Sequence, residues 1–179
     1  ISGGEPLAYR DQGKGVLDLA EQFPDCFFVM YTNGTLIDDR VARRMGQLGN
    51  LSPALSVEGM KERTDARRGE GVFDKVLAAM ERLRREGVIT GISLTATRKN
   101  AAAILSDAVV DLFFERMGVP YAFVFHSLPI GRAFTLDLMM TPEQRFELFD
   151  RVWSLIRERH IFIADFWNSA TASNGCLAA

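Results

Sequence analysis

Two adjacent glycines, a glutamate and a proline stand at the head of the chain, where Gly3-Gly4-Glu5-Pro6 follows Ile1-Ser2. The stretch reads as the end of a buried strand breaking into a tight turn. Paired glycines give the backbone access to positive φ and leave no side chain between a ligand and the peptide groups. Glu5 adds a carboxylate, and Pro6 stiffens the exit while keeping Glu5 out of the α region. Peptide carbonyls and a carboxylate in one turn suit a positively charged amine. The same residues also serve as ordinary loop punctuation. Ligand-type groups recur where later apolar runs end: Thr32-Asn33-Gly34, Ser56 to Gly59, Thr95 to Asn100, and Pro129 to Arg132. His126 is the imidazole near these ends. It suits a substrate contact or proton relay, although a strand-end histidine is more often satisfied by its neighbours. His160 closes an apolar helix and reads as a favourable charge at a helix C-terminus.

The elements that must position these groups alternate in type. Apolar runs at 26–31, 54–57, 89–96, 121–125 and 161–164 predict five short strands. Between them lie helical patterns. Asp38 caps one that carries Val41, Met45 and Leu48 on a single face; Val72, Phe73, Val76, Leu77, Met80 and Leu83 mark the strongest, up to Gly87. A third covers about 106–117, and the last opens on Thr141-Pro142-Glu143-Gln144, a capping box with proline at the first helical position. Cys26, at the head of the first run, is expected in the core. Strand and helix in regular alternation imply βα units and a parallel sheet, either open and doubly wound or an arc of a βα barrel, with ligand groups at one rim. No G-x-G-x-x-G and no phosphate loop is present, which counts against the nucleotide-binding sheets.

The composition narrows the setting. In 179 residues, 47% are hydrophobic and 25% charged, ordinary for a soluble globular domain. The formal charge of −2 gives no reason to expect nucleic acid, although Arg63, Arg67, Arg68, Arg82, Arg84 and Arg85 make the middle locally basic. No apolar run is long enough for a membrane span, and the start lacks the layout of a signal peptide. A cytoplasmic location is expected. Cys26 and Cys176 give no disulfide framework and fit a reducing compartment. The start at Ile1 and the close at Asn174-Gly175-Cys176-Leu177-Ala178-Ala179 read as cuts from a longer protein.

In order, Gly-Gly-Glu-Pro, Thr-Asn-Gly, Ser-Val-Glu-Gly, Arg-Arg-Gly-Glu-Gly-Val-Phe and Pro-Ile-Gly-Arg resemble the radical S-adenosylmethionine superfamily over nearly the whole chain. The tail, Asp165-Phe166-Trp167-Asn168 followed by Gly175-Cys176-Leu177, further resembles members with a C-terminal SPASM-type extension that binds auxiliary iron–sulfur clusters. The resemblance implies an α/β fold, a parallel partial (βα) barrel truncated at both ends. It divides the chain into barrel at 1–160 and the start of the linker into the SPASM-type domain at 161–179. It also implies a [4Fe–4S] cluster on three cysteines at C-x3-C-x2-C spacing, which are absent here, so this segment alone is expected to be inactive. An electron donor such as flavodoxin or ferredoxin and a peptide or protein substrate are implied as partners, and a membrane is not.

The resemblance also assigns residues. Gly3, Gly4, Glu5 and Pro6 match the turn that receives the methionine amine. Thr32 and Asn33 lie within reach of the methionine or ribose, with turn capping an equal reading for Asn33. Ser56 and Glu58 match the pair that meets the ribose hydroxyls or methionine carboxylate. Arg67 or Arg68, with Arg68 preferred, suits that carboxylate. Thr95 and Thr97 are further candidates, and Pro129 and Ile130 match the stretch bordering adenine. Cys176 is expected to ligate an auxiliary [4Fe–4S] cluster. A catalytically degenerate binding or scaffold protein, or a non-radical methyltransferase, is the competing class. Against the latter, Thr32-Asn33-Gly34 supplies no ribose-binding acid.

Overall fold

A computed structural model describes residues 1–130 and 135–168. Ile1 lies alongside the first strand: its amino group donates to Val29 O and its carbonyl accepts from Tyr31 N, the spacing of a parallel ladder. After the Gly3-Gly4 turn, Pro6–Ala8 forms one 3₁₀ turn, followed by α1 (Val16–Gln22), β1 (Phe28–Thr32), α2 (Asp39–Leu48) and β2 (Leu51–Val57). Next come α3 (Lys61–Arg68), α4 (Val72–Arg85), β3 (Gly91–Ala96) and α5 (Asp107–Val110), which runs into a π-helical turn at Asp111–Arg116. The chain then forms β4 (Tyr121–His126), α6 (Pro142–Arg159) and β5 (Phe162–Asp165). The five strands are all parallel and pair in chain order, so every strand ends at the same rim.

Local chemistry sets the element ends. Asp38 Oδ1 accepts from Val41 N at 2.8 Å to start α2, and Gly49 at φ 69° closes it in the left-handed region. Thr141 and Gln144 form the expected reciprocal box at the head of α6. His160 caps the far end at φ 54°, so it lies just past the helix. Cys26 departs from expectation: β1 begins at Phe28, and Cys26 sits exposed in the preceding turn, where its carbonyl accepts from Asn50 Nδ2. Its place in the core is taken by Met30, which is fully buried.

The two faces of the sheet differ. Met30, Leu55, Val57, Ile92, Leu94 and Val124 point to the helices and form the core with Val76, Met80, Leu83, Val109, Phe113 and Leu148. Burial of each such side chain contributes about 1.5–3 kcal/mol. On the opposite face the register sets Tyr31 beside Ala54, Ala54 beside Gly91, Ser56 beside Ser93, Ser93 beside Phe123, and Thr95 beside Phe125. A flat sheet would hold β1 and β4 about 14 Å apart. The Tyr31 ring nevertheless lies 5.5 Å from Phe123 and 5.4 Å from Phe125, centroid to centroid. The sheet therefore curls toward this face, and the small residues of β2 and β3 leave room for the rings to meet across them. Gly91 is part of that device: a Cβ there would fall 2.0 Å from the Tyr121 ring. Tyr121 Oη sits 2.7 Å from Ser52 Oγ, which donates to Ile89 O.

Candidate functional site at the strand-end rim

At the β1 end, Glu5 ties the opening turn to the strand. Its Oε1 accepts from Leu7 N at 3.1 Å and from Thr32 Oγ1 at 2.7 Å, and its Oε2 accepts from Asn33 N at 2.8 Å. Thr32 is buried and its hydroxyl accepts in turn from Gly34 N. Asn33 Oδ1 accepts from both the amide and the hydroxyl of Thr35, an Asx-type turn. With the carboxylate engaged by three donors, the groups the turn presents outward are the exposed peptides of Gly3 and Gly4. Gly3 has φ 139° and open space around its Cα, so an added side chain would be strained rather than crowded. Both glycines line a cleft of about 1020 Å³ with Ile1, Pro6, Val16 and Leu19.

At the β2 end, Glu58 is buried and carries two guanidiniums. Arg68 Nε and Nη2 donate to Oε1 at 3.0 and 2.6 Å, and Arg67 Nη1 donates to Oε2 at 2.7 Å. The cluster therefore leaves one positive charge in excess. Helix α3 exists to deliver these arginines: it has Thr64 as its buried residue, whose hydroxyl accepts from Glu58 N and donates to Gly59 O. Asp65, one turn before Arg68, accepts from Phe73 N and caps α4. That bond, the Gly71 amide and Lys61 outweigh burial and hold its carboxyl below the usual aspartate range. Gly69 and Gly71, at φ 112° and 75°, make the turn between the two helices. Arg67 and Arg68 border a cleft of about 320 Å³ with Asn33, Thr35 and Val72, which joins the β1 and β2 ends.

Asn100, the last residue of the Thr95 to Asn100 stretch and not itself a predicted ligand contact, organises the β3 end. Its Oδ1 accepts from Thr97 N and Oγ1 at 2.7 and 2.9 Å, and its Nδ2 donates to Thr95 O and Glu58 O at 2.9 and 3.5 Å. Thr95, Thr97 and Glu58 are thus joined through one buried amide. The signal was available: asparagine three residues after threonine at a strand end favours such a turn. Ser56 points to the concave face, half-buried. Ser127 N donates to Ala96 O and links the β3 and β4 ends. Beyond it Pro129 is half-buried, and Ile130 is 75% exposed with its amide on Leu128 O.

His126 does not face the concave side. The register places it with Ala96 on the helix side, where its Nε2 lies 3.0 Å from Asp165 Oδ1 without hydrogen-bond alignment. Asp165 Oδ1 also accepts from Trp167 N and Asn168 N. Burial acts to raise the Asp165 pKa, but His126 and those amides together outweigh it, and the carboxyl lies below its ordinary range.

The parallel, curled sheet has known counterparts. The Radical SAM superfamily model matches residues 1–100. The chain belongs to the radical S-adenosylmethionine superfamily, and the sheet is an arc of that family's partial barrel. It is similar to Fe-coproporphyrin III synthase of Methanosarcina barkeri, 31% identical over 160 residues that cover 89% of this chain and 38% of the relative. It is also similar to mycofactocin maturase MftC of Mycobacterium tuberculosis, 29% identical over 184 residues that cover 99% of this chain and 45% of the relative. Among solved structures, SuiB of Streptococcus suis bound to precursor peptide SuiA superposes with TM-score 0.70 at 14% identity, over 96% of this chain and 39% of that one. The chain thus spans about two fifths of the length of these relatives.

The rim residues fit S-adenosylmethionine: exposed glycine peptides for an ammonium, hydroxyls for a ribose and an excess guanidinium for a carboxylate. They do not fit an iron–sulfur cluster. Among the described residues Cys26 is exposed at the far end of β1, and no three His, Cys, Asp or Glu side chains are grouped to hold a metal. Cys176 lies outside the described residues. No helix among them is long and apolar enough to cross a membrane.

Proposed function

We propose that this chain is the S-adenosylmethionine-holding arc of an enzyme that cleaves that molecule to a 5′-deoxyadenosyl radical and takes hydrogen from a peptide or protein substrate. The observation that carries the reading is the rim itself, where the ends of β1, β2 and β3 are fixed by Glu5, Glu58 and Asn100 in a member of this superfamily. The Gly3 and Gly4 carbonyls receive the ammonium. Thr32 and Asn33 hold the turn that carries them. Ser56, Thr95 and Thr97 offer hydroxyls to the ribose, and Arg68, beside Glu58, turns its remaining charge to the carboxylate. Pro129 and Ile130 border the base. A peptide substrate is the leading reading; SuiB, similar in fold, is bound to precursor peptide SuiA.

The domain reading belongs here too: residues 1–160 form the barrel arc, and 161–179 lead toward a SPASM-type domain in which Cys176 ligates an auxiliary cluster. The [4Fe–4S] cluster that supplies the reducing electron is held elsewhere in the parent protein, which takes that electron from a flavodoxin or ferredoxin in the cytoplasm. The 179-residue chain alone is inactive and binds S-adenosylmethionine weakly, since each rim hydrogen bond contributes only about 0.5–1.5 kcal/mol net. The test is anaerobic reconstitution of the full-length protein with iron and sulfide, reduction with dithionite, and measurement of 5′-deoxyadenosine. Its formation is expected. Iron uptake without any 5′-deoxyadenosine would leave the binding or scaffold reading instead.

A further inference from the structure

A further cleft, of about 480 Å³, opens between the turn at 9–15 and the heads of α1 and α2, and its wall includes Arg10, Gly15, Asp18, Asp38, Arg40 and Arg44. It shares no residue with the cleft that Arg67 and Arg68 border. Its two carboxylates are engaged. Asp18 Oδ2 accepts from Gly15 N at 2.6 Å and Oδ1 from Arg44 Nη2 at 2.7 Å, and the Gly15 amide, followed by that guanidinium, holds the carboxyl below the usual aspartate range. Asp38 Oδ1 caps α2 through Val41 N. Arg44 is engaged as well, since its Nη2 also donates to Glu21 Oε2 at 2.9 Å. The other two guanidiniums are not. Arg10 Nη1 donates to Leu7 O at 3.0 Å and Tyr9 O at 2.6 Å, and the group lies so close to Gly15 that a Cβ there would fall 2.7 Å from Nη1. Arg10 is thus fixed through one nitrogen, while its Nε and Nη2 make no hydrogen bond among the described residues. Arg40 is exposed and has neither a hydrogen-bond nor an ion-pair partner among them.

We infer that this cleft is an oxyanion site that takes a phosphoryl group, gripped by Arg10 and Arg40. A guanidinium presents its N–H groups as a rigid fork, and the Nε and Nη2 edge that Arg10 leaves open is such a fork. A carboxylate, with two oxygens, is filled by one fork, whereas a phosphoryl group offers three acceptor oxygens and can be shared by two arginines. The aspartates in the wall do not make it a cation site. Three guanidiniums face two carboxylates there, and each carboxylate already accepts from donors of the protein. Gly15 is part of the arrangement, because a side chain at that position would push the Arg10 guanidinium off the two carbonyls that hold it. The inference does not rest on the reading of the rim, with which the cleft shares no charged residue. A phosphoryl group of this kind has two sources, a small phosphate ester or a phosphorylated peptide side chain, and both offer the same oxygens.

The inference is tested by NMR titration of the ¹⁵N-labelled chain with sodium phosphate near neutral pH, the ionic strength being held constant with sodium chloride. Saturable shifts are expected at the Gly13, Gly15 and Val41 amides and at the arginine Nε–H signals, and sodium acetate is expected to need about ten times the concentration of phosphate to produce them. Arg40→Gln, which removes no bond of the fold, is expected to weaken phosphate binding about tenfold. Arg84→Gln makes the same change of charge at an exposed arginine of α4 outside the cleft, and is expected to leave the affinity within about twofold. Shifts that do not exceed those of chloride would overturn the inference. So would acetate binding as tightly as phosphate, or a loss from Arg84→Gln equal to that from Arg40→Gln. Methyl phosphate and the tripeptide Ala-phosphoserine-Ala then separate the sources. Tighter binding of the peptide upholds the site as one for a phosphorylated side chain, and equal or tighter binding of methyl phosphate upholds it as one for a small ester.

Discussion

The helix-facing and concave faces of one sheet are built from alternate residues of the same five strands, yet they answer to different demands. On the helix side Met30, Leu55, Ile92, Leu94 and Val124 are fully buried, and their shapes are fixed by the helices they touch. On the concave side small residues on β2 and β3 alternate in space with rings on β1 and β4, and those rings keep part of their surface open. The difference teaches that a packed and an open face can be separated by side-chain parity alone. Each position on a strand faces one side or the other, and shifting the register by one residue would exchange the two.

That separation can be broken by substitution. Leu55→Ala, on the packed face, is expected to lower unfolding free energy by about 2–5 kcal/mol, whereas Phe125→Leu, on the open face, costs below about 1.5 kcal/mol. Urea denaturation followed by circular dichroism measures both, and similar losses would erase the distinction between the faces. A loss between these two is expected from Glu58→Ala at the rim. It leaves two guanidiniums beside one another without their carboxylate, and since Arg67 is 46% exposed the cost is about 2–3 kcal/mol, below that of a fully buried pair. The Glu58→Ala, Arg67→Ala double variant then recovers part of it in the same assay.

The smallest effect concerns Asp165. Its carboxyl is lower in the fold than the ordinary value of 3.8, so ionised Asp165 stabilises the protein above that value and the contribution fades as pH falls through and below it. Asp165→Asn is expected to flatten the acid limb of a stability–pH profile while leaving the neutral region less stable by a fixed amount. An acid limb unchanged by the substitution would show that His126 and the two amides do not favour the ionised form.

Much of the architecture was legible because its signals are local. The capping box at Thr141 and Gln144, the Asp38 cap and the polar residues that stop each apolar run all depend on a few neighbouring residues, and each has its counterpart in the fold. What escaped depends on partners distant in sequence. Helix α3 has no apolar stripe to announce it, because its residues serve Glu58 and the start of α4 rather than the core. Strand β2 begins three residues before the apolar run that predicted it, with Pro53 inside, a residue that usually argues against a strand. Cys26 shares its composition with a buried strand and was exposed only by where pairing with Leu51 begins, at Phe28. The ionic bonds of Arg67 and Arg68 to Glu58 are likewise invisible in the sequence, where all three residues suit a ligand equally well.

Pairing in chain order has a consequence for how the molecule is made. Phe28 finds Leu51, Ala54 finds Gly91, Ile92 finds Ala122 and Tyr121 finds Phe162, so no strand waits for a partner more than one connection away. Each loop closed is of modest length, which keeps its entropic cost low. A chain leaving the ribosome can therefore lay down the sheet one βα unit at a time, each newly emerged strand docking on an edge already formed. The price of this assembly line is that every intermediate carries an unpaired parallel edge, and among the described strands the edge at β4 is covered by the one that brings Phe166 onto Phe125.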